Sequence, residues 1–222
     1  MIGTIWPQAN CQGLWHLNSS FTDSSGNGYT LTASGTPTDV AGKWSNCKSF
    51  ASASSQFAYI TNGSSANLNG TGSRSVLCWL NITSLIDGSY IMGKDGSTTG
   101  WLLYLGGGGD NLGFYIRGLT PSGTESTPAL STGVWYFIAG VYDSTNSKIK
   151  VWVNNTKVEV TVTSGSNSSN TKDTQIMATG STSGSGAISF TNGKLDEVAF
   201  FNKAITDKDI RMYYAWATGK LM

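Results

Sequence analysis

Short β-prone runs recur along the chain, separated by clusters of turn-forming residues. The clearest is 74–83 (RSVLCWLNIT), whose alternation sets Val76, Cys78 and Leu80 on one face and Leu77 and Trp79 on the other. Runs at 13–17, 29–32, 47–50 and 57–61 predict shorter strands before it. Those at 89–93, 101–105 and 112–117 predict a meander, with Gly106-Gly107-Gly108-Gly109-Asp110-Asn111 turning the last pair. The run 134–142 (VWYFIAGVY) leads through a turn at 143–147 into 148–153, and Asn154-Asn155 reads as a two-residue hairpin loop before 157–163. Strands are predicted last at 174–178 and 187–201, the latter broken by a turn at 191–193.

One helix is predicted, at Asp207–Ala217. Thr206 is its N-cap and Asp209 stands where a capping box needs an acceptor. Ile210, Tyr213, Tyr214 and Ala217 form one stripe, and Gly219 ends the helix. Its expected seat is an edge of the sandwich. The pattern as a whole predicts an all-β, two-sheet antiparallel sandwich with one short C-terminal helix, as a single domain over 1–222.

Composition narrows the partners. Hydrophobic residues are 39% of the chain and aromatic residues 11%, enough for a large core, while charged residues are only 12%. A net charge of +1, with Lys and Arg scattered, gives no footprint for nucleic acid or an anionic membrane. No apolar stretch is long enough to insert in a bilayer. Met1–Pro7 has neither the basic nor the apolar region of a signal peptide. An extracellular setting would therefore need a leader removed elsewhere, whereas a phage product released by lysis needs none. Of three cysteines, none is in a CxxC pair; they are either free thiols or include a Cys11–Cys47 bridge.

A search for catalytic chemistry finds little. The single histidine, His16, has no second histidine to join in a metal site or triad. The glutamates are Glu125, Glu159 and Glu197, and no Glu-x-Asp-x-Glu strand occurs. Asp196 and Glu197 are adjacent, so a regular strand would point them to opposite faces. No phosphate-binding glycine loop is present. The expected activity is binding, with no catalytic residue.

Three segments carry a resemblance. Leu14-Trp15-His16-Leu17 is followed by Asp23-Ser24-Ser25-Gly26-Asn27-Gly28; 134–143 is followed by Lys150-Val151-Trp152-Val153-Asn154; and 193–206 reads GKLDEVAFFNKAIT. In this order they resemble laminin-G-like, concanavalin A-like jelly-roll domains of the subtype with a C-terminal helix, over about Leu14 to Tyr214. The departure is Asn154-Asn155 where Asn-Gly is commoner; Asn tolerates the positive φ of such a turn. The resemblance implies a structural Ca²⁺ held by the carboxylates of Asp23 and Asp196, with Gly26, Asn27 or Gly28 adding backbone or amide oxygen. Read on the residues alone, Asp23 closes an Asx turn and Asp196 is a solvated or hydrogen-bonded strand residue.

Eight tryptophans and nine tyrosines raise the question of a sugar-stacking platform. Trp101, Tyr104, Tyr115 and Trp152, on or beside predicted strands, are the candidate glycan contacts, while Trp15, Trp79 and Trp135 are assigned to the core. Two functions follow as expectations. The first is an adhesive, glycan-binding module acting extracellularly or on a virion surface. The second is a decoration, fibre or tail protein whose partner is a capsid or tail lattice, with oligomers expected and no sugar bound. A polysaccharide-active enzyme would lack the carboxylate pair it needs.

Overall fold

The computed structural model describes residues 10–64, 66–127 and 129–219, so the N-terminal stretch read for a leader lies outside the described residues. The first strands are β1 (Cys11–Trp15), β2 (Thr32–Ser34), β3 (Thr38–Ala41), β4 (Asn46–Phe50) and β5 (Phe57–Ile60). Then come β6 (Arg74–Ser84), β7 (Tyr90–Asp95), β8 (Gly100–Gly106), β9 (Asn111–Ile116), β10 (Leu119–Thr120) and β11 (Gly123–Glu125). The last are β12 (Trp135–Asp143), β13 (Lys148–Val153), β14 (Thr156–Thr161), β15 (Ser164–Gly165), β16 (Thr174–Ile176) and β17 (Asn192–Phe201), followed by helix α1 (Asp207–Ala217).

An eight-stranded antiparallel sheet runs β14-β13-β12-β6-β17-β4-β3, with β1 also paired to β17. A seven-stranded sheet runs β11-β9-β8-β7-β16-β5-β2. This is the two-sheet antiparallel sandwich expected from the pattern, and the jelly roll that the resemblance implies. Alternation along β6 sorts its residues as predicted. Val76, Cys78, Leu80 and Ile82 enter the core between the sheets, with Trp15, Phe50, Trp101, Phe114 and Phe200. Trp101 of β8 meets Phe200 of β17 across the sandwich at 5.1 Å between ring centroids. Gly140 of β12 is required there: a Cβ would stand 2.3 Å from the Phe114 ring of the other sheet.

Leu77 and Trp79 face the other way, into a second cluster with Phe137, Val141, Trp152 and Phe201. Helix α1 covers this cluster with Ile210, Tyr213 and Ala217. Helix α1 therefore packs on the outer face of the eight-stranded sheet and not on an edge. The reason lies in β6, β12 and β17, which are apolar on both faces and need a cover on each. Thr206 caps the helix by accepting from Asp209 N.

Two predicted strands shift. The 29–32 run is mostly loop, with β2 beginning at Thr32, and 187–191 contributes only a bridge between Thr179 and Ile188 before β17 begins at Asn192. The Asn154-Asn155 turn forms as read, with Asn154 at φ +55° and Val153 paired to Thr156. Cys11, Cys47 and Cys78 are buried free thiols. Burial pushes the first two up to about 11 and the third further. Among the described residues no helix is long and apolar enough to cross a membrane.

Candidate functional site

On the seven-stranded sheet, Trp101, Leu103 and Leu105 of β8 and Leu112, Phe114 and Ile116 of β9 point into the core. Alternation therefore turns Tyr104 and Tyr115 outward, and both are half-buried. Tyr90 of β7 lies opposite Tyr104 in the ladder. The three rings form a series: 6.1 Å separates the centroids of Tyr90 and Tyr104, and 5.2 Å those of Tyr104 and Tyr115, which meet edge to face.

Glycines seat these rings. A Cβ on Gly113 would lie 2.1 Å from Tyr104 Cε1, and one on Gly123 would lie 2.4 Å from Tyr115 Cδ2. The two rings rest directly on backbone that no other residue could supply. The Tyr104 hydroxyl donates to Glu125 Oε1 at 2.7 Å. Burial, together with hydrogen bonding to Tyr115 and Glu125, raises its pKa strongly, so it stays a phenol.

Beside Tyr90 the face deepens into a cleft of about 360 Å³, lined by Asp95, Arg117, Lys172, Ile188 and Ser189 among others. Arg117 follows Tyr115 by two residues and so shares its face. Its Nε donates to Asp95 Oδ1 at 3.1 Å and its Nη2 to Asp95 Oδ2 at 3.0 Å, a fork against a buried carboxylate. The Tyr90 hydroxyl also donates to Asp95 Oδ2, at 3.0 Å, and burial beside that charge pushes it up to about 12. The loop between β16 and β17 forms the far wall. The buried Asp173 carboxylate shapes it, accepting from Ser181 Oγ, Ser183 N and Gly184 N. Ile188 on this wall is 59% exposed.

Rings open to solvent can stack on the apolar face of a sugar, and the cleft adds polar groups in fixed positions. Concave sites with aromatic walls and few polar groups are the usual form of small-ligand recognition. Tyr104 and Tyr115 were named from sequence and lie together here; Trp101 and Trp152 do not join them. Each is fully buried. Trp101 is in the core, donating from Nε1 to Leu68 O, and Trp152 is under helix α1 with Arg211 over its ring. Neither has a face left to stack on a sugar. Tyr90, Asp95, Arg117 and Lys172 were missed, although Arg117 was legible from its two-residue spacing to Tyr115.

The residues implied for Ca²⁺ do not fit a cation. Asp23 Oδ1 accepts from Leu14 N at 3.0 Å and Ser25 N at 2.8 Å, and Oδ2 from Ser25 Oγ at 2.8 Å and Tyr29 N at 2.9 Å. Donors converging on both oxygens occupy the lone pairs a metal would need. Asn27 turns its amide nitrogen, not its oxygen, to Cys11 O and Gln12 O. The exposed Gly26 and Gly28 supply positive φ, at +89° and +78°. The loop instead closes the free edge of β1, where Ser24 N also donates to Leu14 O. Asp196 lies apart from this loop network: its Oδ2 accepts from Lys43 N at 2.7 Å, and burial pushes its pKa up to about 6. No cluster of three His, Cys, Asp or Glu among the described residues could hold a metal.

A family model described as the concanavalin A-like lectin/glucanases superfamily matches residues 52–211. No curated protein sequence matches the chain. Among solved structures, domain 4 of AbnA, a GH43 extracellular arabinanase from Geobacillus stearothermophilus in complex with arabinotriose, is similar. Its TM-score is 0.72 at 16% identity, over 91% of this chain and 97% of that one. The binding domain of Paraclostridial Mosquitocidal Protein 1 gives 0.73 at 14% identity, over 94% of this chain and 52% of that one. The binding domain of botulinum neurotoxin DC in complex with SialylT gives 0.69 at 14%, over 95% and 52%. The chain thus spans about half the length of these toxin domains.

Proposed function

Because this chain belongs to the concanavalin A-like lectin/glucanases superfamily, we propose that it is a non-catalytic binding module that holds glycans on its Tyr90–Tyr104–Tyr115 face. The observation that carries this reading is the ring series, half-exposed and seated on Gly113 and Gly123, opening into the Arg117 cleft. Rings packed for stability alone would be covered, as Trp101 and Trp152 are.

The neighbours lend support. One is an arabinanase domain bound to arabinotriose, and among the toxin binding domains is one in complex with SialylT. Cell entry of botulinum neurotoxin type C, another of this group, depends on interaction with two ganglioside molecules. The reaction chemistry points the same way. Each glutamate is held by a partner of its own: Glu125 by Tyr104, Glu159 by Lys157 and Glu197 by His16. We place the module outside the cell, where glycan-bearing surfaces are.

A glycan array screened with wild-type protein and with the Tyr104→Ala, Tyr115→Ala double variant tests the reading. Binding lost in the variant, with an unchanged circular dichroism spectrum, is the expected result. Equal binding by both, or none by wild type, overturns it. Should no glycan bind, co-assembly with capsid or tail proteins would favour the decoration role.

A further inference from the structure

Resting on the glycan-binding reading, we infer that the cleft beside Tyr90 takes a sugar that carries a carboxylate. The charges lining it are Arg117 and Lys172 against Asp95, two cations to one anion. The single carboxylate is already used up. Asp95 takes Arg117 Nε and Ser97 N on Oδ1, and Arg117 Nη2 and the Tyr90 hydroxyl on Oδ2. Four donors fill the lone pairs of one carboxylate, so Asp95 has nothing left to offer a sugar hydroxyl.

The donors are in surplus. Lys172 has three ammonium protons, and its partners are the Gly180 carbonyl at 3.0 Å and Thr182 Oγ1 at 3.3 Å. Neither partner is charged, and Lys172 enters no ion pair among the described residues. The nearest carboxylate in sequence, Asp173, is committed to Asn62 N, Ser181 Oγ, Ser183 N and Gly184 N, with the buried Lys94 beside it. Arg117 likewise has more donors than Asp95 and Tyr90 consume. A partly enclosed, donor-rich site with one uncompensated cation selects an acceptor that is itself anionic. Next to a tyrosine series, that acceptor is the carboxylate of a uronic or sialic acid residue.

The test is a calorimetric titration of the full chain with 3′-sialyllactose and with trigalacturonate. Each is compared with its carboxyl methyl ester and with lactose as the neutral sugar. We expect at least one acid to bind about tenfold more tightly than its ester, with affinity falling as salt rises; which acid does so identifies the source. Lys172→Gln should bring the acid-to-ester affinity ratio to about one, and Lys172→Arg should retain the preference. Acid and ester binding equally well would overturn the inference and leave the glycan reading standing. A preference that survives Lys172→Gln would also overturn it. If no sugar of either kind binds, the glycan reading falls as well.

Discussion

His16 Nδ1 and Glu197 Oε2 lie 2.7 Å apart, joining the end of β1 to a bulge in β17. Glu197 stands at φ +53°, in a region most side chains avoid, and the pairing with β6 slips between Asp196 and Ala199. The bulge overrides the two-face alternation expected of Asp196 and Glu197, and both carboxylates end up buried. The Glu197 hydrogen bond raises the His16 pKa above 6.5 despite partial burial.

The first prediction concerns this pair. A pKa raised in the folded state means the His16–Glu197 bond stabilises fully below about 6.5 and fades as pH climbs through the raised folded value. With His16 part-exposed, His16→Gln should cost about 1 kcal/mol at pH 5 and less above neutrality. Urea melts at two pH values check this; a constant difference contradicts it.

Asp196 behaves in a related way for a different reason. Burial lifts its pKa from 3.8 to about 6, against the pull of Lys43 N and its other backbone donors. A raised carboxylate pKa destabilises as the group ionises, so stability should decline from about pH 4 to pH 6, by roughly 2–3 kcal/mol. Asp196→Asn keeps an acceptor for Lys43 N and should flatten that decline. A variant equally destabilised at pH 4 and pH 7 would contradict the account.

The ring seat gives a sharper test of the tyrosine face. Gly113→Ala puts a methyl 2.1 Å from Tyr104 Cε1, and the ring must swing away because the strand backbone below it cannot move. Glycan binding should fall at least about tenfold, roughly 1.4 kcal/mol, while unfolding stability changes by no more than about 1–2 kcal/mol. Isothermal titration and thermal melts separate the two effects.

Much of this was legible from period alone. The β6 alternation sorted Val76 from Leu77, and the Thr206 cap located α1 to the residue. The same period places Trp101 and Tyr104, three apart on one strand, on opposite faces, so they could never have shared a platform. The cleft was not legible. Tyr90, Arg117 and Lys172 come from three regions of sequence, and only strand pairing and the folded-over 179–189 loop assemble them. A DSSGNG string specifies a turn geometry without saying what its carboxylate faces. Here it faces backbone N–H groups.

Metal dependence follows. Excess Ca²⁺ or EDTA should leave the melting temperature within about 1 °C, since the lone pairs of Asp23 are filled by the protein's own donors. Asp23→Ala should cost about 2–4 kcal/mol with or without the ion, from the orphaned Leu14 N and Tyr29 N. A calcium-dependent melt would contradict this.

The helix has a structural role that separates from binding. Ile210 is fully buried over Trp79 and Phe137. Ile210→Ala should cost about 2–4 kcal/mol, and Thr206→Ala about 1, by denaturant melts. Neither should weaken glycan affinity below the melting transition, because α1 covers the sheet opposite the tyrosine face.

The most direct measurement is an NMR titration of the ¹⁵N-labelled protein with an array-selected oligosaccharide, read residue by residue. The account predicts shifts concentrated on Tyr90, Tyr104, Gly113, Tyr115, Arg117 and the 179–189 loop. Shifts centred instead on Asn155, Arg211 and Tyr214, at the cleft between the helix and the β13–β14 turn, would contradict it.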